Sequence, residues 1–81
     1  MSPIENIKEG MRLEVQDSID PFSMWLVRIM ENVGGRLLLR YEGTDQASHD
    51  FWLFYINYRL HPIGWAKEHE LEYKKPSCKY R

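Results

Sequence analysis

Cysteine is almost missing from this chain: Cys78 stands alone, so no disulfide can form within it, and a reducing, intracellular setting is the expected one. No apolar run approaches the roughly 20 residues a membrane-spanning helix needs, nor is there a leader-like pattern; no membrane partner is expected. Neither sign of charge prevails. Eleven Lys and Arg face 12 Asp and Glu, for a net charge of −1, so no overall field draws the molecule to nucleic acid. There is no long amphipathic helical period and no internal repeat. Nucleophile elbow, P-loop and dinucleotide fingerprint are all absent, and 81 residues leave little room to enclose a substrate beside a catalytic constellation. Binding, without enzymatic activity or a cofactor, is the expectation. His49, His61, His69 and Cys78 match no zinc spacing, so no metal is expected either.

What the chain does have is aromatic surface, 14% of its residues. It is densest in Asp50-Phe51-Trp52-Leu53-Phe54-Tyr55 and in His61-Pro62-Ile63-Gly64-Trp65. Large flat side chains crowded onto a small domain either build its core or line a pocket. Phe51 and Trp52 are neighbours on a strand and so face opposite sides, one into the core and the other over the C-terminal segment. Together with Trp65 they are read as structural aromatics.

The intervening sequence is strand-like. Residues 11–16 alternate apolar with polar, the period of a strand with one wet face. Residues 17–21 carry Asp, Ser and Pro turn chemistry. Residues 24–30 and 36–41 flank Asn32-Val33-Gly34-Gly35, the clearest hairpin signal in the chain. A polar loop over 42–48 leads to a last strand expected over 49–54. These short strands and tight turns predict an all-β fold, a small barrel of SH3-like type, with helical turns toward the C-terminus near 65–69. Residues 1–9 are read as a short N-terminal arm, 10–70 as the barrel and 71–81, with Lys74, Lys75, Pro76, Lys79 and Arg81, as a basic tail or linker.

Four blocks taken together, Gly10-Met11-Arg12-Leu13-Glu14, Val33-Gly34-Gly35-Arg36-Leu37-Leu38-Leu39-Arg40-Tyr41, Asp50-Phe51-Trp52 and His61-Pro62-Ile63-Gly64-Trp65, resemble the MBT (malignant brain tumour) repeat in the family's order. The resemblance implies a Tudor-like five-stranded barrel, found in tandem arrays within nuclear, Polycomb-related repressors of transcription. It also implies neighbouring repeats, histone tails or other chromatin proteins as partners. Family repeats bind mono- or dimethyl-lysine in a cage of aromatic faces and one acid. A methylated ammonium is weakly hydrated yet charged and favours such faces, while a carboxylate takes the remaining N–H of the lower methylation states.

Carried onto this sequence, the acid falls on Asp17 and the first aromatic on Tyr41. The other two walls fall on Thr44, which has no π face, and His49, a poor receptor for a cation. The resemblance thus implies a degenerate pocket at Asp17, Tyr41, Thr44 and His49, in a domain serving as a scaffold. The alternative is a working low-methylation reader using Asp17 and Tyr41, with Phe54 or Tyr55 as substitute walls. A third reading has Arg28, Arg36, Arg40 and the tail bind nucleic acid, against the charge balance. A plain structural role for Asp17, capping its own loop, is the competing reading of that residue.

Overall fold

A computed structural model describes residues 7–74. The strands are β1 (Arg12–Gln16), β2 (Ser23–Val33), β3 (Arg36–Tyr41), β4 (Phe51–Phe54), β5 (Leu60–His61) and β6 (Glu72–Tyr73). One helical turn, α1, spans Trp65–Glu68, and a 3-10 turn spans Ala47–His49. The sheet order is β4-β3-β2-β1-β5, with β6 added beside β2. All pairings are antiparallel except β2 with β6. The five-strand path bears out the expected small all-β, barrel-like fold, curling as a half-barrel, and β6 is a sixth strand within residues that composition assigns to the tail.

Alternation builds the core. Trp25, Val27 and Ile29 of β2 share one face with Leu37, Leu39 and Tyr41 of β3 and with Val15 of β1, and all are buried. Phe51, Leu53, Tyr55, Leu13 and Leu60 close the cluster. Period-two side-chain placement gives each strand one apolar row, and curling the sheet brings the rows together. In β2 the register shifts between Ile29 and Glu31, a bulge that sharpens the bend.

The β2–β3 turn is Gly34-Gly35 alone, with φ of 59° and 94°, because β2 runs on to Val33. Two successive positive φ values twist the chain as the strands require, and only glycine takes them without strain. Gly35 is also sterically closed: a Cβ there would lie 2.8 Å from the Tyr55 ring. Gly35→Ala should therefore cost about 1–3 kcal/mol in a urea melt. A melt that matches the parent's would mean that the Tyr55 ring moves aside freely.

Several expectations need correction. Of the aromatic pair on β4, Phe51 packs on the core and Trp52 points outward, 50% exposed. Trp52 is not a core anchor. It faces Leu38 across β3, on the sheet's outer side. Trp65 lies outside the main cluster and packs between two imidazoles, His61 at 3.6 Å and His69 at 4.0 Å between ring centroids. His49 does not start the last strand, which begins at Phe51; it ends the 3-10 turn instead.

The largest departure concerns β1. Alternation placed Glu14 on a wet face, yet it is 1% exposed. Both faces of β1 are covered, because α1 and β6 fold back over Glu14 and the buried Met24. Glu14 Oε2 accepts the Gly64 N–H at 3.0 Å, Oε1 accepts the Ala66 N–H at 2.7 Å, and the Tyr73 hydroxyl donates to Oε2. A buried carboxylate is tolerable only with such partners. The folded unit thus continues to Lys74, past the boundary expected at residue 70; Cys78 and the basic residues after Lys74 lie outside the described residues.

Candidate functional site

The corner expected from the sequence is assembled around a residue that sequence reasoning passed over. Trp25 sits on β2 opposite Val15, one row in from the Asp17 loop. Its indole N–H donates to Asp17 Oδ1 at 2.8 Å. Asp17 Oδ2 accepts the backbone N–H groups of Ile19 at 3.1 Å and Asp20 at 3.0 Å. Asp20 repeats the device, taking the Phe22 N–H and the Ser23 hydroxyl. The loop is thus held by its own short acids, as Asx turns are.

Burial alone would raise the Asp17 carboxyl, but the Trp25 N–H, the Asp20 and Ile19 N–H groups and the nearby Lys74 charge outweigh it and lower the pKa from 3.8 to about 2. A depressed folded pKa stabilises the fold above the unfolded value, and the gain disappears as pH falls through the folded one. Asp17→Asn should therefore be less stable at neutral pH by on the order of 1–2 kcal/mol, discounted for partial exposure. That gap should close between about pH 4 and pH 2 in acid-melt series; a gap independent of pH would detach it from the carboxylate.

On the far side of Trp25 stands Tyr41, with ring centroids 4.8 Å apart and planes at 60°. Phe51 packs on Tyr41 in turn, at 5.2 Å. Tyr41 is 8% exposed, a core residue at the end of β3. Thr44 follows in the turn, its N–H directed to the Tyr41 carbonyl at 3.4 Å and its hydroxyl accepting the Gln46 N–H at 3.2 Å. His49 leads into Asp50, which takes the Arg40 guanidinium on both oxygens at 3.0 Å. Asp17 and Tyr41 thus converge on one indole, Thr44 joins them through the backbone, and His49 is placed by the 3-10 turn.

Phe54 and Tyr55 cannot serve as substitute walls. Phe54 lies opposite Arg36, five residues along β3 from Tyr41, about 17 Å at the rise of a strand. These two rings pack on each other beside Gly35 instead. Of the arginines read as a nucleic-acid face, Arg40 is paired with Asp50, and Arg28 lies 3.9 Å from Glu42, which Arg12 engages more closely at 2.7 Å. A separate cleft of about 820 Å³ opens at the other end of the sheet, lined by Met11, Leu13, Tyr55, Ile56, Leu60 and Ile63 among others. None of the four candidate pocket residues borders it.

Comparison with known proteins agrees with this fold. The family model described as "mbt repeat" matches residues 11–79. The chain is 49% identical over 79 residues to mouse "Scm-like with four MBT domains protein 2", covering 96% of this chain and 8% of that protein. It is 39% identical over 73 residues to Drosophila melanogaster "Polycomb protein Sfmbt", covering 76% of this chain and 6% of the relative. The chain therefore spans less than a tenth of the length of these relatives. Among solved structures, the four MBT repeats of Drosophila melanogaster Sfmbt in complex with the methyl-lysine peptide RHR(me)KVLR superpose with a TM-score of 0.78 at 34% identity, over 95% of this chain and 17% of that one. By its four sequence blocks, its curled sheet and these matches, the chain belongs to the MBT repeat family.

Proposed function

We propose that this repeat is a protein-interaction and scaffold element of a tandem MBT array in a nuclear, chromatin-associated repressor, and that its own methyl-lysine cage is incomplete. The observation that carries the reading is the state of the two residues that do match the cage pattern. Tyr41 is sealed between Trp25 and Phe51, and both Asp17 oxygens are committed to the indole and to the loop backbone. Thr44 and His49 stand where binding repeats place aromatic walls, and each missing wall removes roughly 0.5–2 kcal/mol of cation–π attraction.

The scaffold role is supported by a band of exposed apolar side chains on β4 and the turn after it: Trp52, Phe54, Ile56 and Tyr58. A single small domain seldom leaves such a band in water, and a neighbouring repeat or another chromatin protein is its natural cover. On this reading no enzymatic step is assigned to the repeat. Chemical-shift titration with mono- and dimethyl-lysine peptides, histone tails included, should give no saturable change at millimolar ligand. Saturation centred on Asp17 and Tyr41 would instead establish a working reader.

A further inference from the structure

Strand register carries Lys74 to a particular place. β6 runs parallel to β2, with Ser23 opposite Glu72 and Met24 opposite Tyr73. The Lys74 N–H donates to the Met24 carbonyl at 2.7 Å, which fastens its backbone beside β2. β3 stops at Tyr41, opposite Val27, so this flank of β2 is open to β6. Alternation then sends Tyr73 to the Glu14 side of the sheet and Lys74 to the Trp25 side. There the Lys74 ammonium stands over the Trp25 ring, 6.0 Å from its centroid, within reach of cation–π attraction. Asp17 holds the same indole by its edge.

We propose that Trp25 and Asp17 form an ammonium-binding corner and that its occupant is the chain's own Lys74. An aromatic face and an adjacent carboxylate are the chemistry that recognises a lysine head group, and here one arrives in cis. A tethered ligand acts at an effective concentration that a weakly binding peptide in solution does not match. An exposed cation–π contact shifts such an equilibrium by a factor of about two to five, enough to favour the closed corner and still allow release. This deepens the reading above, in which the corner takes no outside ligand. The two fail separately, since peptide titration reports on that reading and the signal of Lys74 reports on this one.

Reductive methylation of the folded chain with carbon-13 formaldehyde places a charged dimethylammonium on each lysine, and the Lys74 signal is identified by its loss in Lys74→Arg. Lys74 is exposed, so this variant keeps the fold. The signal should lie upfield of the other lysines, moved by the indole ring current, with nuclear Overhauser contacts to Trp25 ring protons. It should move back toward the others in Asp17→Asn. A Lys74 signal among the rest, without contact to Trp25, overturns the proposal. In a second variant, Lys74→Met, the apolar stem remains and the charge is gone. The Asp17 carboxyl should then titrate above its value of about 2, and an unchanged titration also overturns the proposal.

Discussion

Replacing Glu14 by alanine is expected to cost about 3–5 kcal/mol of folding stability, the scale for removing one member of a buried charged network. Domains of this size have roughly 4–12 kcal/mol in all, so much of the protein should be unfolded at modest urea. The loss is large because three donors are stranded together: the Gly64 and Ala66 N–H groups and the Tyr73 hydroxyl. Glu14→Gln should fall between, since an amide retains one acceptor oxygen but turns an N–H₂ toward donors. Equilibrium urea melts decide it, and a Glu14→Ala midpoint near the parent's would mean that water reaches these donors.

The same network predicts a marker at high pH. Partial loss of solvent around its hydroxyl first, then the hydrogen bond to Glu14 and its charge, push Tyr73 from 10.0 up to about 12, although 45% of the residue stays exposed. A folded pKa raised above the unfolded value means that this contribution is complete below pH 10 and is lost as pH climbs from there to about 12. A late-titrating tyrosine in ultraviolet absorbance, absent in Tyr73→Phe, is the expected signature.

Trp25→Ala should cost about 3–5 kcal/mol, the range for emptying a buried aromatic site. It also strips Asp17 of its indole partner and Tyr41 of its edge contact. Trp52→Ala should cost under about 1 kcal/mol, as surface substitutions do, because half of the side chain is already in water. The pair is a test of which face of the sheet is inside. If Trp52→Ala were the more damaging variant, the inward row of β4 would have to be exchanged for its outward one.

The sequence made the sheet legible because its period-two rows and glycine hairpin are local signals. The apolar run Leu37-Leu38-Leu39 follows Gly34-Gly35, which admits few turn geometries, and along β3 burial then alternates residue by residue. Glu14 was misread for an equally physical reason. Alternation tells which residues share a face but not whether a later segment returns to cover the polar one, and α1 and β6 do so from some 50 residues away. Trp25 was visible as a strand residue, yet its role depends on the Asp17 loop reaching it, a contact without a spacing rule. The short strand β6 had no signal above its charged surroundings, since two residues carry no period.

The N-terminal segment is tied to one end of β2, where the Asn32 amide donates to the Ile7 carbonyl and the Gly10 N–H to the Ile29 carbonyl. The departing segment is tied to the other end, at Met24. These attachment points are roughly 25 Å apart along the strand. Drawing the two flanking segments apart would therefore load β2 lengthwise between Met24 and Asn32, together with the β3 residues paired to it, and because β6 runs parallel to β2 its pairing would be peeled from the Lys74 end. In a string of such units, β2 would be the tension member of each link.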